Sequence, residues 1–289
     1  MRPLRAKKSL GQNFLKSKLA LRKIVEAGEI TPVRAREGSQ GPSASNGVKN
    51  QELVLEIGPG RGALTEKLLE AGARVIAVEK DNGLYELLKI KFAKAISSGQ
   101  LNLINSDILE FNTRTYNLET RTYKIIANIP YNITGAIFKK FLTAEYQPTS
   151  MVVMVQHEVA KRIVAGDGKE SLLSISVKAY GEPKMVMKVP ARDFSPAPKV
   201  DSAVISIKNI SRKNFTSPPA PLLDKERVAK KPGEVEQRFW EVVRAGFAHK
   251  RKRLAGNLKG MVSGEVLTTL GNKRAEELTL SDWLKICSI

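Results

Sequence analysis

The segment Asn128-Ile129-Pro130-Tyr131 gathers a side-chain amide, a backbone carbonyl at a proline and a phenol ring in one short stretch. Those groups suit a primary amine carried on a flat heteroaromatic ring. The exocyclic nitrogen of adenine is such an amine, and a poor nucleophile, because its lone pair is delocalised into the ring. Two acceptors, the Asn128 side-chain oxygen and the Pro130 carbonyl, can take its two N–H groups and favour a pyramidal nitrogen whose lone pair is free. Tyr131 can stack on the ring. No strong general base is required when the electrophile is a sulfonium, since a positively charged sulfur leaves readily and the proton departs after transfer. S-adenosylmethionine is the methyl donor with that chemistry.

A nucleoside-type donor needs a cradle of its own. Glu56-Ile57-Gly58-Pro59-Gly60-Arg61-Gly62 offers one at a strand-to-helix turn. Glycines such as Gly58 and Gly60 let the backbone approach a ligand, and the helix that follows presents unpaired N–H groups. Alone this turn says little, because glycine turns are common in α/β proteins and a dinucleotide site uses a similar one. Glu79, at the end of the next strand, sharpens the reading, since a carboxylate there accepts both hydroxyls of a ribose. Asp107, in Asn105-Ser106-Asp107-Ile108, follows the third strand and can accept from an adenine amino group.

All of these groups fall at the ends of short apolar runs. Leu53–Ile57, Arg74–Val78, Leu101–Ile104, Lys124–Ala127 and Met151–Gln156 read as strands, separated by helical patterns at Leu64, Leu68 and Leu69, at Asn82–Lys94 and at Ile137–Leu142. That alternation predicts an α/β fold with a mostly parallel sheet, helices on both faces, and ligands at the C-terminal strand ends. Lys184–Val189 and Val200–Lys208 have no crossover helix between them, which predicts antiparallel pairing at the sheet edge. Val235–Phe247, Lys252–Leu258, Gly264–Leu270 and Leu280–Ile286 predict a small all-α C-terminal domain, with Trp240 and Trp283 in its core. The resulting plan is a basic arm and helix at 1–30, with Ser17 as N-cap, then a Gly-, Ser- and Pro-rich flexible insertion at 31–51. The sheet domain spans 52–208, a Pro-rich linker 209–233 and the helical domain 234–289.

The 289 residues accommodate one large and one smaller domain at about 150 residues per domain. A formal charge of +19 argues against an ordinary acidic metabolite enzyme and makes a polyanion, nucleic acid first, the expected partner. From Met1 to Val25 the chain carries Arg2, Arg5, Lys7, Lys8, Lys16, Lys18, Arg22 and Lys23 and no acidic residue. Arg5, Lys7 and Lys8, with the run Lys250-Arg251-Lys252-Arg253, are the expected phosphate contacts. Cys287 is the single cysteine, so neither an internal disulfide nor a zinc cluster is expected, and His157 and His249 alone make no metal centre. The sequence has no apolar run of about 18 residues and no secretory apolar stretch near Met1, so a cytoplasmic protein without a membrane partner is expected.

Four further segments bind these observations together. Lys8-Ser9-Leu10-Gly11-Gln12-Asn13-Phe14-Leu15, Glu56-Ile57-Gly58-Pro59-Gly60, Asn128-Ile129-Pro130-Tyr131-Asn132 and Asp193-Phe194-Ser195-Pro196-Ala197-Pro198-Lys199-Val200-Asp201-Ser202-Ala203-Val204 resemble the ribosomal RNA adenine N6,N6-dimethyltransferase family. Phe247-Ala248-His249-Lys250-Arg251-Lys252-Arg253-Leu254-Ala255-Gly256-Asn257-Leu258 is similar to that family's helical domain. The motifs run in family order from about Lys8 to Ile286.

The resemblance implies a Rossmann-like class I methyltransferase with S-adenosylmethionine as cofactor, held by Asn13, Leu15, Gly58, Glu79, Asp107 and Asn128. It also implies that Phe194 sandwiches the flipped adenine opposite Tyr131. The arm and the basic C-terminal segment favour the bacterial branch that dimethylates two adjacent adenosines in a hairpin loop near the 3′ end of 16S rRNA. That branch would act on the immature small ribosomal subunit, as a monomer. The alternatives are the macrolide-resistance branch acting on 23S rRNA and a small-subunit assembly factor that works mainly by binding. The chain departs from the family at Gly168-Lys169-Glu170-Ser171-Leu172-Leu173-Ser174, where many members carry Tyr-Gly-Arg-Leu-Ser.

Overall fold

Strands buried on both faces read as near-continuous apolar runs, and Leu53–Ile57, apolar except for Glu56, is buried at every position. The computed structural model describes residues 6–7, 10–30, 51–116, 118–120, 122–165, 167–216, 232–249, 251–270 and 272–288. Arg5, Lys8, Lys250, the insertion up to residue 50 and the linker at 217–231 lie outside the described residues.

In chain order the elements begin with β1 (Phe14–Leu15), α1 (Lys18–Ala27), β2 (Leu53–Ile57), α2 (Ala63–Glu70), β3 (Arg74–Glu79), α3 (Asn82–Lys91) and α4 (Ala93–Ser97). They continue with β4 (Leu101–Asn105), β5 (Tyr123–Asn128), α5 (Thr134–Leu142), β6 (Ser150–Gln156), α6 (His157–Val164), α7 (Leu172–Lys178) and β7 (Glu182–Val189). The last are β8 (Phe194–Ser195), β9 (Ser202–Lys208), α8 (Lys213–Thr216), α9 (Pro232–Phe247), α10 (Leu254–Asn257), α11 (Gly264–Leu270) and α12 (Leu280–Ser288).

The main sheet has the order β4-β3-β2-β5-β6-β9-β7. β2 pairs in parallel with β3 and β5, β3 with β4 and β5 with β6, while β9 runs antiparallel to β6. The chain works outward from β2 to β4 and then returns to the other side of β2, so the crevice between β2 and β5 is the topological switch point where ligands bind. Val54, Leu55, Val75, Ile125 and Ile126 are fully or almost fully buried around it, each side chain worth about 1.5–3 kcal/mol of burial. A second, two-stranded sheet pairs β1 with β8, setting Phe14 opposite Ser195 and Leu15 opposite Phe194.

Contacts divide the chain into a sheet unit, Met1–Ala160 with Lys184–Ile210, and a helical unit, Lys161–Pro183 with Ser211–Ile289. The expected sheet domain of 52–208 included Lys161–Pro183, so this division differs. The reason is in that segment's side chains and amides. Tyr180 is buried and its hydroxyl donates to Glu236, which also accepts from Arg212 Nε at 2.9 Å, and Trp240 Nε1 donates to the Tyr180 oxygen at 3.0 Å. The Glu170 amide donates to the Glu276 carbonyl at 2.8 Å. Ser171, in the segment that departs from the family pattern, forms a capping box with Ser174 at the start of α7.

Two helices also differ from expectation. Asn82–Lys94 is broken at Phe92, where φ is −109° and the ring lies against Gly62 at the entry to α2. The basic run at 251–253 is a turn that precedes α10 instead of a helix, because the Leu254 amide donates to the Lys273 carbonyl at 2.8 Å and Arg253 Nη1 to Asn272 at 3.0 Å. Asn257 Nδ2 reaches back to the Gly246 carbonyl at 2.7 Å and to His249 at 3.3 Å, satisfying the end of α9. Gly246 itself is required by packing, since a Cβ there would sit 2.3 Å from the Trp283 ring, which is fully buried.

Candidate functional site

A cavity of about 520 Å³ opens at the C-terminal ends of β2, β3, β4 and β5. The glycine turn after β2 forms one wall, with φ of +64°, +60° and +76° at Gly58, Gly60 and Gly62, a left-handed path that side chains resist. This turn aims the Gly60 amide at Glu79 Oε2, 3.0 Å away, and a Cβ on Gly60 would meet the Phe14 ring at 3.0 Å.

The cavity brings together Asn13, Leu15, Gly58, Gly60, Glu79, Asp107, Asn128, Pro130 and Tyr131, all expected from sequence. Asn128 ends β5, and its Nδ2 donates to the Asn13 carbonyl at 3.2 Å. The donor half of the amide is thereby committed to the arm and the oxygen half remains to accept from a ligand. The Pro130 carbonyl receives the Ile133 amide at 3.3 Å and keeps a second lone pair. Tyr131 is held by a 2.5 Å hydrogen bond between its hydroxyl and Ser202 Oγ on β9, and burial raises its phenol above the ordinary value.

Two acids report the electrostatics. Glu79 Oε1 accepts the Asp81 amide at 2.9 Å while burial, outweighing that bond and the one from Gly60, raises its carboxyl. Asp107 is held below the ordinary carboxylate range, first by Lys80, whose Nζ is 2.6 Å away, and then by the Leu109 amide at 2.9 Å.

Phe194 is not brought into the cavity lining. It is 2% exposed and lies in β8 against Leu15, and Ser195 faces the cavity in its stead. Lys7 reaches Asp81 at 2.9 Å. Arg251, Lys252 and Arg253 are exposed in the helical unit. His157 starts α6 with its amide donating to the Asp201 carbonyl at 2.9 Å. Burial pushes the Cys287 thiol up to about 12, which removes it as a nucleophile at neutral pH. Among the described residues no three His, Cys, Asp or Glu side chains gather to hold a metal, and no helix is long and apolar enough to cross a membrane.

Among the residues at the site to which sequence reasoning assigned no role, Glu56 and Ser202 stand out. Glu56 is 1% exposed, lines the cavity, and its Oε2 has no hydrogen-bond partner. Burial pushes its carboxyl up to about 8, with the neighbouring Glu79 charge adding to the effect. An acid inside an otherwise apolar strand was the available signal. Ser202 is the other, and its place beside Tyr131 depends on a strand pairing with no local signature.

Sheet order and crevice together define a Rossmann-like α/β fold with a ligand site at its switch point. The family model described as ribosomal RNA adenine dimethylase matches residues 4–289, and the chain belongs to that family. It is 38% identical over 293 residues to the ribosomal RNA small subunit methyltransferase A of Dehalococcoides mccartyi, covering 98% of this chain and 88% of that protein. It is 34% identical over 301 residues to the protein of the same name from Synechococcus elongatus, with 98% and 94% covered. Two crystal structures share its fold. A dimethyladenosine transferase from Plasmodium falciparum superposes with TM-score 0.69 at 23% identity, covering 94% of this chain and 95% of that one. The 23S rRNA methyltransferase ErmE gives 0.68 at 24%, covering 95% and 98%. The chain is therefore an rRNA adenine dimethyltransferase.

Proposed function

We propose that the protein dimethylates N6 of two adjacent adenosines in the 3′-terminal hairpin loop of 16S rRNA, acting as a cytoplasmic monomer on the immature small subunit. The single observation that carries the chemistry is the Asn128 amide, whose Nδ2 is tied to the arm at Asn13 and whose oxygen is left to accept. Similarity to relatives named for the small subunit supports the choice of RNA.

The cavity suits S-adenosylmethionine. The buried carboxyls of Glu56, one oxygen of which has no partner, and of Glu79 match a cationic nucleoside better than an anionic one, and the left-handed glycine turn clears backbone space for it. Gly58 and Gly60 would let the backbone lie along it, Glu79 would accept ribose hydroxyls and Asp107 the adenine amino group. When bound, this cofactor supplies an electrophilic methyl group on sulfur.

In the first transfer Asn128 Oδ1 and the Pro130 carbonyl accept the two N6–H groups of the target base and draw its lone pair out of conjugation, and in the second one of them accepts the single N6–H that remains. Tyr131, fixed by Ser202, presents a face on which the base stacks. The surplus proton on N6 passes to solvent, since none of these groups acts as a strong base. A flipped loop base costs little to unstack, which favours an unpaired target.

Purified protein incubated with labelled S-adenosylmethionine and unmethylated small subunits is expected to label the two loop adenosines. Label confined to large-subunit RNA would move the assignment to the 23S branch, and binding without label would favour an assembly factor.

A further inference from the structure

Asp81 is 4% exposed and serves three parts of the sheet unit at once. Its Oδ1 accepts the Gly83 and Leu84 amides at 2.9 and 3.2 Å, capping α3. Its own amide donates to Glu79 Oε1. Its Oδ2 receives the arm, with Lys7 Nζ at 2.9 Å and Gln12 Nε2 at 3.1 Å, while the Lys7 amide donates to Gln12 Oε1 at 2.7 Å. Burial opposes ionisation of Asp81, and Lys7, Gln12 and the two capping amides outweigh it, holding the carboxyl below its ordinary range.

The arm so held forms a wall of the cavity from Leu10 to Lys16. Its far end is fixed by β1 pairing with β8 and by the Lys16 amide donating to the Asp193 carbonyl at 2.8 Å. Midway, the Asn13 carbonyl meets Asn128 Nδ2. A segment anchored at both ends behaves as a strap, and releasing one end frees its middle.

We infer that Asp81 is a positioning residue for methyl transfer. It clamps the arm across the cofactor cavity through Lys7 and Gln12, and through the Asn13 carbonyl it sets which half of the Asn128 amide faces the target amine. Helix capping alone does not account for it, since capping uses Oδ1 and leaves Oδ2 to the arm. Lys7 is then the key of this clamp in the cofactor-free protein, a role separate from contacting RNA phosphate. The inference rests on the reading of the cavity as an S-adenosylmethionine site.

The test separates clamp from cap. D81N keeps an oxygen for the α3 amides but loses the charge, and K7A leaves the cap untouched. Cofactor affinity is measured by calorimetry, kcat and KM by methyl transfer, and amide hydrogen exchange is followed over Gln12–Leu15 in the cofactor-free protein. Both variants are expected to remain folded, to speed exchange in the arm, to weaken cofactor binding about tenfold and to lower kcat. The double variant is expected to be no worse than either single one, and K7R to restore wild-type values. Wild-type exchange and affinity in K7A, or additive losses in the double variant, would overturn the clamp. Fast arm exchange in the variants of a wild-type protein that binds no S-adenosylmethionine would overturn the cofactor reading, and the positioning role with it, while leaving the clamp standing.

Discussion

The cavity wall around Asn128 and the turn at Arg251–Arg253 carry the two halves of the proposed function by opposite physical means. Around Asn128 the groups are uncharged, half-buried and oriented by neighbours, with the amide tied to Asn13 and the Tyr131 hydroxyl to Ser202. At 251–253 the groups are charged, exposed and, apart from the Arg253 bond to Asn272, solvated. A pre-oriented acceptor acts only in the geometry where charge develops, so its loss is felt in rate. An exposed cation adds an increment of affinity that salt screens.

Substitutions should therefore separate the two regions. The largest expected effect is at Asn128: N128A should lower kcat about a thousandfold or more while small-subunit affinity stays within about twofold, read by single-turnover transfer and filter binding. If binding collapses in parallel, the two regions are not independent.

Glu56 should show itself next, in the pH dependence of stability. Its carboxyl titrates at about 8 in the folded cofactor-free chain and near 4.3 when unfolded, so the folded state holds the extra proton between those values. The contribution of Glu56 to stability is then full below about pH 4 and is lost as pH rises to about 8, with an upper bound of about 5 kcal/mol. Denaturant melts of wild type and E56Q should diverge in slope with pH, the variant being flatter. A wild-type curve as flat as the variant would place Glu56 outside this account.

Tyr131 comes third. Y131A should cost about 10–100-fold in kcat/KM through lost stacking, whereas Y131F and S202A, which keep the ring, should cost less than about fivefold. Equal losses in Y131A and S202A would assign the effect to the hydroxyl pair. The smallest effects are expected in the helical unit. R251A and K252A should each weaken RNA binding about two- to fivefold at low salt, reduce the salt slope by about one per lost phosphate contact, and leave kcat at saturating RNA unchanged.

The sheet was legible because strands buried on both faces leave continuous apolar runs, and the crevice followed from glycine, acid and Asn-Ile-Pro-Tyr spacing at their ends. What escaped was set by long-range packing. β1 and β8 have two residues each, too short for any periodicity, yet their pairing joins the arm to the Phe194 segment and buries Phe194. An adenine sandwich at Phe194 requires that ring to leave this packing. The break at Phe92 answers to its ring seated at Gly62, and the grouping of Lys161–Pro183 answers to Tyr180 and Glu236, contacts with no local trace. Lys7 read as one more arm cation because its partner, Asp81, lies in another element.

The most direct test digests small-subunit RNA after reaction with wild type or N128A and quantifies N6,N6-dimethyladenosine by mass spectrometry. Wild type should yield two dimethylated adenosines in the 3′-terminal loop and N128A none above background while still bound to the subunit. Methyl groups on other atoms or positions, or wild-type levels from N128A, would contradict the account.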